Sequence, residues 1–146
     1  MATVELRFSA LPEHVRTARL VAAAVARRAG VDEAVLDEVR LAVGEACSRA
    51  VGLHQISGIT APVKVALIEE EKQFSIEVGD EAPHAPTGVR TAGEAVEDPD
   101  AEAEEDEMGL AVISGLVDDV EVTAGEEGGL IRMTWPTTPP PTAVLP

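Results

Sequence analysis

Tyrosine is absent from the 146-residue chain, and the only aromatic rings of the Phe, Trp or Tyr type are those of Phe8, Phe74 and Trp135. The first absence excludes a tyrosine as acid, base or nucleophile. The second leaves the core to Val, Leu, Ile and Ala, a filling that suits helices packed on a sheet. The length is that of one domain with a sizeable core. A single cysteine, Cys47, excludes an internal disulfide and fits a reducing compartment. The longest apolar run, 20–26, sits between Arg19 and Arg27 and falls far short of the roughly 20 residues of a membrane span. The opening MATVELRF lacks a basic segment followed by an apolar one, so no secretory leader is expected and the expected compartment is the cytoplasm.

Positive charge is also scarce, and unevenly so. Residues 1–49 carry seven basic and seven acidic side chains, whereas residues 50–146 carry four basic and twenty acidic ones, for a net charge of -16. A phosphate backbone would be repelled by the second part, which argues against direct nucleic-acid binding. An anionic membrane surface is disfavoured for the same reason.

Apolar alternation at Val4, Leu6 and Phe8 predicts a strand over 3–9. Leu11-Pro12-Glu13 opens a helix, with proline tolerated in the first turn, and Gly30 is its C′ stop. Asp32 is a suitable N-cap for a second helix to about residue 53, with Leu36, Val39 and Val43 on its buried face and Gly52, Ser57 and Gly58 breaking the pattern. Two strands, 63–69 and 73–79, follow around Glu70-Glu71-Lys72. Segment 81–107 has three prolines, no apolar periodicity and nine carboxylates between 94 and 107 with no basic residue, and reads as a mobile acidic loop within the domain. A short helix from 111 to 117 and a hairpin of strands 119–124 and 130–135 complete a domain over 1–135; residues 136–146 read as a proline-rich disordered tail. The order predicts an α+β fold, a helix layer on a mainly antiparallel sheet.

The stretch Leu41-Ala42-Val43-Gly44-Glu45-Ala46-Cys47-Ser48-Arg49-Ala50-Val51 resembles the N-box of RsbW-like anti-sigma factors, serine kinases of the GHKL (histidine kinase-like) ATPase superfamily. The helix over 15–30, the strand ending at Asp80 and Met108-Gly109-Leu110 fall in that family's order, so the resemblance spans about 3–135. It implies a GHKL ATPase-like Bergerat sandwich. It also implies ATP and Mg²⁺ as cofactors; separately, His14, His54 and His84 are far apart in sequence and show no ligand spacing, so no metal site on protein ligands is expected. Its partners would be a sigma factor and a STAS-domain anti-anti-sigma protein that compete for the chain. Many relatives are dimers, so a homodimer is among the expectations.

Carried over by position, the resemblance makes Glu45 the general base toward a substrate serine; alone, it reads as a solvated helix glutamate. One turn on, where the family has a magnesium-binding asparagine, stands Arg49. Magnesium takes oxygen ligands, and a guanidinium has only donors and a fixed positive charge. Arg49 therefore reads as a direct phosphate contact or as a surface or interface arginine. The family's Asp-x-Gly-x-Gly motif appears as Asp80-Glu81-Ala82-Pro83-His84, with the adenine-binding aspartate kept and both glycines lost. Asp80 fits either an adenine contact or a turn at a strand end. Of Gly-x-Gly-Leu only Gly109 and Leu110 survive, and the matching lid is the acidic segment. Arg19 matches a partner-contacting arginine of the first helix and has Arg16 beside it; both also fit solvated helix arginines.

Three departures in one pocket weigh against nucleotide binding and kinase activity. The resulting expectation is an anti-sigma-type regulator that sequesters a sigma factor, a STAS partner or both by partner switching. The alternative is an active Mg·ATP-dependent serine kinase acting on a STAS-domain protein.

Overall fold

The computed structural model describes residues 2–83, 88–91, 113, 115–117 and 119–137. Strand β1 (Ala2–Phe8) leads through a 3₁₀ turn at Pro12–His14 into helix α1 (Val15–Ala29). Gly30, in the left-handed region at φ 100°, ends α1, and Val31 N–H returns to the Ala26 carbonyl. A second 3₁₀ turn, Glu33–Val35, is capped by Asp32, whose carboxylate accepts the Ala34 N–H at 3.0 Å. Helix α2 (Leu36–Ser57) follows. It runs straight through Gly52 and stops at Gly58, at φ 66°, so the expected break at Gly52 is corrected. A single glycine costs a helix about 1 kcal/mol, less than the buried face of α2 supplies.

Strands β2 (Val63–Glu69), β3 (Gln73–Asp80), β4 (Gly88–Thr91), β5 (Asp119–Gly125) and β6 (Gly128–Pro136) complete an antiparallel sheet in the order β1-β2-β3-β6-β5-β4. β4 lies inside the segment read from sequence as loop, where Gly88–Thr91 pairs with β5 from Ala124 to Glu121. β6 continues through Pro136, one residue into the segment read as tail, and the Thr137 N–H meets the Lys72 carbonyl. The expected helix over 111–117 is described at Ile113, Gly115 and Leu116, which are helical. The carboxylate run 94–107 and residues 138–146 lie outside the described residues.

Alternation along the strands separates the two faces of the sheet. Val63, Val65 and Leu67 of β2, Phe74, Ile76 and Val78 of β3, and Ile131, Met133 and Trp135 of β6 are buried in one core with the apolar stripes of α1 and α2. Each such side chain contributes about 1.5–3 kcal/mol on burial. With so few rings available, Phe74 stacks on Trp135, centroids 6.5 Å apart, and Phe8 tilts against His14 at 6.3 Å. The opposite face carries charge: Arg132 reaches Glu70 at 3.1 Å and Glu77 at 3.4 Å. Helices on one face and polar side chains on the other make an α+β two-layer fold, with β3 near the middle of the sheet and its end at Asp80 close to α2.

Candidate functional site

The buried stripe of α2 runs Leu36, Val39, Val43, Cys47, Ala50 and His54, in steps of three and four, with Ala46 buried beside Cys47. This anchors the helix on the sheet and leaves Gly44, Glu45, Ser48 and Arg49 on its flank. Glu45 faces the start of α1. Together with Arg16, Arg19, Leu41, Gly44 and Ser48 it lines an open groove of about 490 Å³ between the two helices. The Arg19 stem crosses α2 at Gly44, where a Cβ would stand 2.8 Å from Arg19 Cδ. The two arginines read from sequence as partner-binding thus meet the candidate base in one place.

One turn further along α2, Arg49 turns inward. Its side chain is 8% exposed, and its Nη1 lies 3.9 Å from Oδ2 of Asp80, which is 2% exposed. The other oxygen of Asp80 accepts the Ala82 N–H at 3.0 Å. Arg49, Asp80 and Ala82 therefore form a second cluster, in which Arg49 is a buried ion-pair residue rather than a surface one. Gly128, at φ 143°, lets the β5–β6 turn lie on this strand end, since a Cβ there would run into the Asp80 carbonyl. Gly109 and Leu110 lie outside the described residues.

Sequence reasoning missed His54. It is fully buried, with Nδ1 3.0 Å from the Ala61 carbonyl and Nε2 accepting the Glu81 N–H at 2.8 Å. These partners fix the neutral tautomer with the proton on Nδ1. The available signal was a polar residue on the apolar stripe of α2, in step with Val43, Cys47 and Ala50. Such a position demands buried hydrogen bonds.

A guanidinium cannot ligate Mg²⁺, and among the described residues no group of three or more His, Cys, Asp or Glu side chains is placed to hold a metal ion. Among those residues, too, no helix is long and apolar enough to cross a membrane.

A pair of helices over an antiparallel sheet, with one flank of α2 set against the end of a central strand, defines a fold of the GHKL ATPase type. The chain belongs to the histidine kinase-like ATPase domain family, whose model matches residues 8–135. Among solved structures, the RsbU and RsbW domains of Rv1364c from Mycobacterium tuberculosis are similar, with a TM-score of 0.67 at 17% identity over 95% of this chain. The match covers 33% of that longer chain, so this protein spans about a third of its length. No curated protein matches the sequence.

Proposed function

We propose that this protein is an anti-sigma-type regulator that works by holding a sigma factor, a STAS-domain anti-anti-sigma protein or both, and that it binds adenine nucleotide weakly or not at all. The observation that carries the reading is the Arg49–Asp80 pair, 3.9 Å apart and buried. In the family that the chain resembles, the first position supplies a magnesium ligand and the second accepts the adenine amino group. Here the first is a cation and the second has that cation on one oxygen and the Ala82 N–H on the other. An incoming amino group would face a guanidinium, and a magnesium ion would meet like charge. Mg·ATP does not fit these residues.

What such a domain retains is a surface. The α1–α2 groove presents Arg16 and Arg19 beside Leu41, which is 54% exposed, and α1 also exposes Leu20, next to Arg19 in the chain. Cations next to exposed apolar side chains suit a partner that offers carboxylates and a small apolar anchor.

The test has two arms. Titration calorimetry with ATP and Mg²⁺ is expected to give no binding in the micromolar range, with no phosphate transfer to a STAS-domain protein. Pull-down against the sigma factors and STAS proteins of the source cell is expected to retain at least one. Submicromolar ATP binding with phosphate transfer would establish the kinase instead, and retention of neither partner class would end the regulator reading.

A further inference from the structure

The end of β3 is held from three sides by the chain itself. From α2, the His54 Nε2 takes the Glu81 N–H at 2.8 Å while its Nδ1 is tied to the Ala61 carbonyl. From within the turn, Asp80 Oδ1 takes the next N–H, that of Ala82, and Oδ2 faces Arg49. From the sheet, the backbone at Gly128 lies directly against the Asp80 carbonyl. Two consecutive N–H groups of the turn are therefore engaged by side chains of the protein. The carboxylate that would receive a base is engaged as well.

The geometry points to an internal clamp. Arg49 and His54 fix the Asp80–Glu81–Ala82 turn in place of a nucleotide, so this turn is ordered in the free protein and does not change state with adenine nucleotide. The inference rests on the reading that nucleotide binding has been lost, and it adds a statement about regulation. A ligand shifts a conformational equilibrium only by its difference in affinity for the two states. A turn already held shut by the protein leaves nucleotide no such difference to supply. Partner release then does not follow a nucleotide cycle at this turn.

Among the described residues, the charged groups at the clamp are Arg49 on α2, Asp80 and Glu81 at the strand end, the latter contributing its N–H through the backbone, and Glu127 of the β5–β6 turn, which lines a pocket with Asp80. The loop segment that supplies Ala61 contributes a carbonyl.

Residue-resolved amide hydrogen exchange on the full chain tests the clamp. The Glu81 and Ala82 amides are expected to exchange slowly in nucleotide-free protein and to change by less than about threefold with saturating Mg·ADP. Arg49→Gln is expected to speed exchange at Ala82 by about tenfold or more beyond the common acceleration that lower global stability gives the Ile76 and Met133 amides of the central strands. Fast exchange at both amides in the free protein, a larger slowing by Mg·ADP, or an unchanged Ala82 rate in Arg49→Gln would overturn the clamp. If Arg49→Gln does not fold, the wild-type comparison with and without Mg·ADP decides alone. Slow, nucleotide-insensitive exchange in a protein that binds neither partner class would end the proposed regulator function and leave the clamp standing. Protection induced by Mg·ADP would end the clamp while partner capture is judged separately.

Discussion

The stem of Arg19 lies across α2 at Gly44, so close that a Cβ at residue 44 would stand 2.8 Å from Arg19 Cδ and 3.5 Å from Cγ. A helix interior rarely gains from glycine. At this position the missing side chain provides the space in which an arginine of α1 is laid down beside Glu45.

Gly44→Ala therefore separates stability from recognition. Alanine favours the helix by about 0.8–1 kcal/mol, and the crowded atom belongs to a flexible side chain that can swing away. Unfolding free energy, read from urea titration, is expected to stay within about 1 kcal/mol of wild type. Partner affinity is expected to fall by about fivefold or more because Arg19 is displaced. Undiminished affinity would mean that the partner does not read the position of Arg19.

Reversing the charge tests the same surface from the other side. Arg19→Glu sets a third carboxylate in a groove that already holds Glu13 and Glu45. Affinity for the captured partner is expected to drop by about tenfold or more, chiefly through slower association at low salt. Stability should change by less than about 1 kcal/mol, as at other half-exposed positions. Surface plasmon resonance across a salt series measures both affinity and association rate; identical kinetics in the variant would remove Arg19 from the interface.

Arg49→Met keeps the length of the side chain and removes the cation facing Asp80. A buried carboxylate that loses its counter-charge costs about 3–5 kcal/mol, and the 3.9 Å separation argues for the low end. The double variant Arg49→Met, Asp80→Asn is expected to be more stable than the sum of the single losses predicts, because the unpaired charge is gone. Strict additivity in urea unfolding would show that the two side chains are not coupled.

The separate parts of this arrangement were legible in the sequence, but their meeting was not. Val63, Val65 and Leu67 alternate cleanly and form β2; Leu36, Val39 and Val43 step by three and four and lie on the buried face of α2. β4 was not legible, because in Gly88-Val89-Arg90-Thr91 only Val89 is a large apolar residue. That strand stands at the sheet edge and is specified by pairing with β5 rather than by a side-chain pattern. Arg49 and Asp80 were each singled out by type and position, yet nothing local says that a residue of α2 reaches the end of β3. His54 escaped for the same reason, since both of its hydrogen bonds go to backbone distant in sequence or beyond the helix end.

His54→Phe preserves the packing of a ring and leaves the Glu81 N–H and the Ala61 carbonyl without their side-chain partner. Unmade hydrogen bonds of partly buried groups cost about 1–3 kcal/mol each, so a loss of about 2–3 kcal/mol is expected in urea unfolding. The damage should be local first, with faster exchange at the Glu81 amide than at the amides of β6. A variant as stable as wild type, with Glu81 still protected, would show that the turn is held without His54.

Cys47 supplies a pH dependence whose sign can be worked out. It is fully buried on α2, and burial pushes its thiol from the ordinary 9.0 up to about 12. Between these values the unfolded chain releases a proton that the folded chain keeps, so the unfolded state binds fewer protons and stability falls as pH rises. The contribution is fully present below pH 9.0, then declines toward pH 12 at about 1.4 kcal/mol per pH unit. Other basic groups titrate in the same range, so the informative quantity is the difference between wild type and Cys47→Ala, measured by urea unfolding from pH 8 to pH 10.5. The alanine variant is expected to start lower because of the space it leaves, and to lose less stability with rising pH, so that the two curves converge. Parallel curves would mean that the thiol is ionised as readily in the folded protein as in the unfolded chain. Alkylation of the native protein at pH 8 should correspondingly proceed no faster than opening of the core.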